Sequence, residues 1–145
     1  MRDSPSISRY LSCLYRHTQM YFDRMLQPYG ISYGSLAILM VLFHHDGIHQ
    51  EEISQKLSID KGTTARAIQK MKELQYIKRV VDQSDRRAYQ IFLTAKGAAL
   101  KPELKRLSRE WAARLTRGFT EAEIEQSFRL LEKMSQNARH FKEEL

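Results

Sequence analysis

The segment from Lys61 to Leu74 carries hydrogen-bonding side chains at helical spacing. If Thr64, Ile68 and Met71 form a buried stripe, then Gly62, Arg66, Gln69 and Glu73 face away from it, flanked by Thr63 and Lys70. Such a face can read base edges, because an α-helix fits the major groove of duplex DNA and each base pair there has its own donor and acceptor pattern. Arg66 has the fork that grips guanine, and Thr63, Thr64 and Gln69 can bond bases or phosphates. Lys61 and Lys70 suit phosphates, which fix position without reading sequence. Gly62 lets a backbone approach closely, and the positive end of the helix dipole favours phosphate at that point. Further on, Asp85-Arg86-Arg87 lies in the polar stretch 82–87. Arginine on a narrow turn can enter a minor groove, where A·T-rich DNA concentrates negative potential. Asp85 can pair with Arg87 and hold it outward. The competing reading is an exposed polar helix face and an ordinary surface ion pair, which adds little to stability.

Other chemistry is weaker. His44, His45, Asp46 and His49 resemble a zinc-binding group, but no cysteine or second carboxylate joins them, and histidine also suits a helix end. No metal site is therefore expected. Glu51 and Glu52 are adjacent on a helix and do not face each other. The chain has no P-loop, no nucleotide-binding glycine fingerprint, no Gly-x-Ser-x-Gly and no zinc-protease helix, so neither an enzyme nor a cofactor is expected. Cys13 is the single cysteine, which excludes an internal disulfide and suits a reducing compartment. On the helical wheel it aligns with Arg9 and Arg16, and nearby cations favour a thiolate. The alternative is an unreactive, partly buried thiol.

Charge narrows the partner. Residues 61–101 contain ten Lys or Arg against three Asp or Glu, so the whole net charge of +7 falls there. The remaining residues hold fourteen of each sign. A basic patch is the footprint of a polyanion. Hydrophobic residues are 42% and charged residues 28%, as in a globular chain. No apolar run approaches the roughly 20 residues of a membrane span, and MRDSPSISRY has no apolar signal core. The expectation is a cytoplasmic protein with no membrane partner.

Six helices and a hairpin would position these residues. Ser4-Pro5 reads as the start of a long first helix with Ile7, Leu11, Leu14, Thr18, Phe22 and Met25 on one face. It also carries Tyr10, Tyr15, Met20 and Tyr21, more apolar surface than a lone small domain can cover, so a partner chain is expected on it. A second helix follows Ser32 and closes near Gly47. A third covers about residues 50–57, and a fourth begins after Asp60, its cap. Two short helices about a tight turn form a helix-turn-helix. The period then changes to two in Ile77–Val81 and Tyr89–Leu93, a wing of two or three antiparallel strands. A fifth helix is expected from about Ala95 to Arg117, bent or broken by Pro102. The last starts at a capping box, Thr120 to Glu123. There is no internal repeat and no low-complexity tract.

Gln50 to Leu57, Asp60-Lys61-Gly62-Thr63 leading into Met71-Lys72-Glu73-Leu74, the Asp82–Arg87 wing and Leu93-Thr94-Ala95-Lys96-Gly97 together resemble the multiple-antibiotic-resistance regulator (MarR) family over nearly the whole chain. The resemblance implies a mainly α winged helix-turn-helix with an intertwined helical dimerisation region. Residues 1–28 and 95–145 would dimerise and residues 29–94 would bind DNA. It also implies a palindromic operator, a minor-groove arginine at Arg86 or Arg87, and repression as the default. Members often respond to small aromatic or anionic ligands. A pocket of that kind would use Arg16 and His17 as anion partners and Tyr15, Tyr33 and Trp111 as walls, although each also reads as solvated surface or packing. Two alternatives stand beside this: an oxidation-sensing repressor using Cys13, and a winged-helix module that binds protein or RNA. Pro102 departs from the long straight helix that the family implies.

Overall fold

The computed structural model describes residues 6–144. The chain divides into two compact units, one running to Ser108 and one beginning at Arg109. In the first unit, α1 (Ile7–Leu26) passes through a 3₁₀ turn (Gln27–Tyr29) into α2 (Tyr33–His44), α3 (Gln50–Leu57) and α4 (Lys61–Glu73). Two strands follow, β1 (Ile77–Val81) and β2 (Tyr89–Leu93), then a one-turn helix α5 (Ala95–Ala98) and the start of α6 (Lys101–Leu115). The second unit holds the rest of α6 and α7 (Glu121–Glu144).

The core of the first unit forms around α2. Its residues are apolar on all sides, as a helix must be when every face is covered. Leu36, Ile38, Leu39 and Leu42 are buried, together with Ile53 of α3, Ile68 and Met71 of α4, Ile77 and Ile91 of the strands, and Leu104 and Leu107 of α6. Each such side chain contributes about 1.5–3 kcal/mol relative to exposure.

In α1 the burial is one-ended. Phe22 and Leu26 are buried, whereas Ile7, Tyr10, Leu11, Leu14, Tyr15 and Met20 are exposed. Ser6 caps this helix by accepting from the Arg9 amide at 3.4 Å, and the predicted Ser4-Pro5 start lies outside the described residues. In the second unit, α7 leaves Phe128, Leu130, Leu131, Met134 and Phe141 exposed. Its predicted capping box is present: the Glu123 amide donates to Thr120 Oγ1 at 3.2 Å and the Thr120 amide to Glu123 Oε1 at 3.4 Å.

The strands pair antiparallel with Ile77 opposite Leu93 and Val81 opposite Tyr89. The far side of β2 meets residues 47–49: the Gly47 amide donates to the Ile91 carbonyl at 2.8 Å and the Ile91 amide to the Ile48 carbonyl at 2.9 Å. The third strand is thus reduced to a single bridge, His49 to Gln90. Among the described residues, β1 has β2 as its one strand neighbour and an open outer edge. Among the described residues, no single helix is long and apolar enough to cross a membrane.

The turn between α4 and β1 explains the Leu93–Gly97 motif. Tyr76 N–H donates to the Met71 carbonyl and Gln75 N–H to the Lys72 carbonyl, both at 3.0 Å, a Schellman closure. Gln75 sits at φ +63°, where glycine is the usual residue. The motif holds this strained turn. Thr94 Oγ1 donates to the Gln75 carbonyl at 2.6 Å, and Lys96 Nζ to the Leu74 carbonyl at 2.9 Å. Gly97 lies so close that a Cβ there would stand 2.0 Å from the Tyr76 carbonyl oxygen.

The single fifth helix expected over residues 95–117 is two helices, α5 and α6. The chain breaks at Ala99–Leu100, and Pro102 becomes the second residue of α6. Proline has no amide to donate and cannot continue a helix through its own position, but it fits a first turn, where that amide needs no intrahelical partner.

Candidate nucleic-acid interface

Asp60 caps α4 and presets its outer face. Its Oδ1 accepts from the Thr63 amide at 2.8 Å and its Oδ2 from the Thr63 hydroxyl at 2.6 Å. These bonds, the Thr63 hydroxyl first, hold the Asp60 carboxyl below its ordinary range. Arg66 then donates to Thr63 Oγ1 at 3.2 Å, so one chain of bonds fixes the guanidinium from the cap. A Cβ on Gly62 would stand 3.2 Å from Asp60 Oδ1 and 3.3 Å from the Arg66 guanidinium, room that the glycine leaves open. Gln69 donates to Glu73 at 3.1 Å, and Lys70 is exposed. The structure therefore presents Lys61, Gly62, Thr63, Arg66, Gln69 and Lys70 on the accessible side of α4, opposite the buried stripe.

Two expectations change. Thr64 is fully buried: its hydroxyl accepts from Ser54 Oγ at 2.8 Å and donates to the Asp60 carbonyl at 3.0 Å. It joins α3 to α4 and cannot meet a base. The phosphate expected near Gly62 at the helix start meets a competitor there: the Thr63 amide is already held by the Asp60 carboxylate, whose charge also opposes an anion.

The wing tip is built by two aspartates. Asp82 Oδ1 accepts from the Ser84 amide at 2.8 Å and the Ser84 hydroxyl at 2.7 Å. Asp85 Oδ1 accepts from the Arg87 amide at 3.0 Å, and Arg87 Nε lies 3.7 Å from it. The Arg87 side chain is 95% exposed, and Arg86 is also exposed. The expected pairing of Asp85 with Arg87 is present. It is weak enough that a phosphate can displace it, as is the 3.3 Å pair of Lys61 with Glu51. A cleft of about 550 Å³ between α3 and the wing is lined by both pairs.

The fold adds basic residues that sequence reading left aside. Arg79 of β1 lies over the Tyr89 ring, 4.4 Å from its centroid, and Lys78 lies 5.7 Å from that of Phe92. The signal was the register, which puts Lys78 directly opposite Phe92. Sequence reading also missed a cluster at the foot of the wing. His49 does not join His44, His45 and Asp46. Its Nε2 lies 2.6 Å from Asp82 Oδ2 and its Nδ1 3.2 Å from Glu52 Oε1. Asp46 instead accepts from the Leu93 amide at 2.8 Å. Asp82, then Glu52, raises the His49 pKa above its ordinary value; His49, then Ser84, holds Asp82 well below the usual carboxylate range.

Among the ligand candidates, Tyr15 meets Tyr33 edge-on at 6.2 Å, and Tyr33 stacks on Phe22 at 5.3 Å. Burial, then Tyr15, raises the Tyr33 hydroxyl pKa. Arg16 is exposed. His17 turns back along α1, with Nδ1 2.8 Å from the Cys13 carbonyl and 3.6 Å from its sulfur. Cys13 is exposed in the single chain. Trp111 belongs to the second unit, half-buried on α6.

Comparison with known proteins agrees with this geometry. A family model described as the MarR family matches residues 29–88. The crystal structure of a MarR transcriptional regulator from Methanosarcina mazei Go1 is similar over 93% of this chain and 97% of its own, at 42% identity and a TM-score of 0.90. A MarR family transcriptional regulator from Listeria monocytogenes, crystallised with 26mer DNA, is similar over 94% of this chain and 91% of its own, at 26% identity and a TM-score of 0.87. The HTH-type transcriptional regulator BilQ of Clostridioides difficile (strain CD3) is 23% identical over 121 residues, 83% of this chain and 82% of its own length.

Proposed function

The chain belongs to the MarR family of transcriptional regulators, and from that premise we propose that it binds a palindromic DNA operator as a homodimer and represses transcription. Like its relatives it is a regulator and not an enzyme. The observation that carries the proposal is the accessible face of α4, with Arg66 tethered through Thr63 to the Asp60 cap. α4 would lie in the major groove, with Arg66 and Gln69 at base edges and Lys61 and Lys70 at phosphates. Arg86 or Arg87 would enter the neighbouring minor groove.

The exposed apolar faces of α1 and of α7 support the homodimer, because surfaces of that kind seek cover. In this reading residues 1–28 and 95–145 make the dimer and residues 29–94 bind DNA. Two-fold symmetry would set two α4 helices in successive major grooves, about 34–36 Å apart. The Tyr15, Tyr33 and Phe22 cluster supports the further proposal of a small aromatic or anionic effector near the junction of α1 and α2. A cytoplasmic setting belongs to the same reading.

The test is selection of bound duplexes from a random DNA pool by the full chain. A two-fold symmetric consensus is expected. Recovery of no consensus at low ionic strength, or of an asymmetric one, overturns the proposal.

A further inference from the structure

We propose that His49 is a positioning residue for the wing, which it holds through Asp82 as an imidazolium, so that duplex binding carries a proton-linked component. This rests on the reading above that the wing arginines meet DNA. The geometry requires the charged ring. Nε2 faces Asp82 at 2.6 Å and Nδ1 faces Glu52 at 3.2 Å. Ionised carboxylates only accept, and a neutral imidazole has one N–H to give. Both bonds exist together only when both nitrogens are protonated.

What the ring holds is the tip of the wing and not the strand register. The register is already set by backbone bonds, including the bridge of His49 to Gln90. Asp82 is the hinge point. One carboxylate oxygen takes His49, and the other folds the turn by accepting from the amide and hydroxyl of Ser84. The Asp82 amide then donates to the Ala88 carbonyl at 2.9 Å and the Ala88 amide to the Asp85 carbonyl at 3.0 Å, which closes the loop that carries Arg86 and Arg87. A continuous path therefore runs from Glu52 on α3, through His49 and Asp82, to the arginines.

Among the described residues, His49 is the cation paired with these two carboxylates. On the wing side of the ring, Lys61 pairs with Glu51 at 3.3 Å and Arg87 with Asp85 at 3.7 Å, and Tyr89 completes that wall. On the other side stand His45, Asp46 and Lys56, with Asp46 occupied by the Leu93 amide. The sign follows. The held ring titrates above 6.5, the ordinary histidine value. Its contribution is complete below about pH 6.5 and is lost as pH rises through the raised value. Duplex affinity should thus weaken from pH 6 to pH 8.5.

The experiment measures affinity for one selected operator duplex across that range at constant ionic strength. Wild-type protein, His49→Gln, His45→Gln and Arg87→Ala are compared, each checked for folding by circular dichroism. Glutamine has a single donor nitrogen, which cannot reach both carboxylates as the two ring nitrogens do, and no charge, at a ring site that is 34% exposed. His49→Gln is expected to bind about three- to tenfold more weakly than wild type at pH 6, to approach it as pH rises through the raised value, and so to lose the pH slope. His45→Gln keeps the slope. If Arg87→Ala weakens binding but His49→Gln keeps the wild-type slope, this inference fails and the wing reading stands. If Arg87→Ala binds like wild type, the wing reading fails and takes this inference with it. Titration of the His49 ring by NMR in the wild-type protein is independent of any variant's folding: a midpoint at or below about 6.5 overturns the proposal.

Discussion

Replacing Thr64 by valine separates a structural hydroxyl from a DNA-reading one. The side chain is fully buried between α3 and α4. Valine keeps its shape and deletes both bonds: the acceptor for Ser54 at 2.8 Å and the donor to the Asp60 carbonyl at 3.0 Å. The two losses are unequal. The Asp60 carbonyl still accepts from the residue 64 amide at 3.1 Å, whereas Ser54, itself buried, is left with a donor and no acceptor. Such an orphaned group costs about 1–3 kcal/mol. At about 3 °C per kcal/mol for a chain of this size, Tm should fall by roughly 3–9 °C in melts at fixed protein concentration. Adding Ser54→Ala removes the orphan, so the double variant should recover most of the loss, as apolar replacement of both partners does. Duplex affinity measured well below the transition should stay within about twofold of wild type, less than the loss of one hydrogen bond would cause. A Thr64→Val protein that melts like wild type yet binds its operator much more weakly would refute the reasoning and return Thr64 to the contact face.

Arg87→Ala should leave Tm unchanged, because the side chain is 95% exposed and its 3.7 Å pair with Asp85 is weak; in gel-shift titrations it should weaken duplex binding and reduce the slope of log affinity against log salt by about 1. An unchanged affinity would remove the wing from the mechanism. Gly97→Ala would set a Cβ 2.0 Å from the Tyr76 carbonyl oxygen, which is backbone and cannot swing aside. Denaturant melts should show a loss of about 3 kcal/mol, the upper end for overpacking; a loss below about 1 kcal/mol would mean that the clamp on the Gln75 turn is slack.

What sequence made legible was whatever depends on neighbours along the chain. The stripe of Thr64, Ile68 and Met71 follows from helical spacing, and it is buried. The capping box at Thr120, the Asp60 cap and the change of period at Ile77 are equally local. The misses are long-range. His49 looked like part of a histidine cluster because three of its members are adjacent in sequence. Its partner Asp82 is 33 positions away and is reached only after the hairpin folds back. Thr64 offers a DNA-contacting hydroxyl by residue type although its spacing puts it on the buried stripe, because a hydroxyl's partner on another helix cannot be seen from one segment. The Leu93–Gly97 motif is visible in sequence only as a pattern, because its work on the Leu74–Tyr76 turn requires strand pairing to bring the two together.

The open edge of β1 has a consequence of its own. Val80 and Val81 are exposed beside it, and an uncovered strand edge is a template on which another hairpin can stack. Lys78 and Arg79, seated over Phe92 and Tyr89, act as gatekeepers that repel an identical edge. The ribbon's positive charge thus preserves solubility whenever no polyanion covers it. A variant with these two cations neutralised should precipitate first in the DNA-free state, and concentrated salt, which screens like-charge repulsion, should push even the unaltered protein the same way.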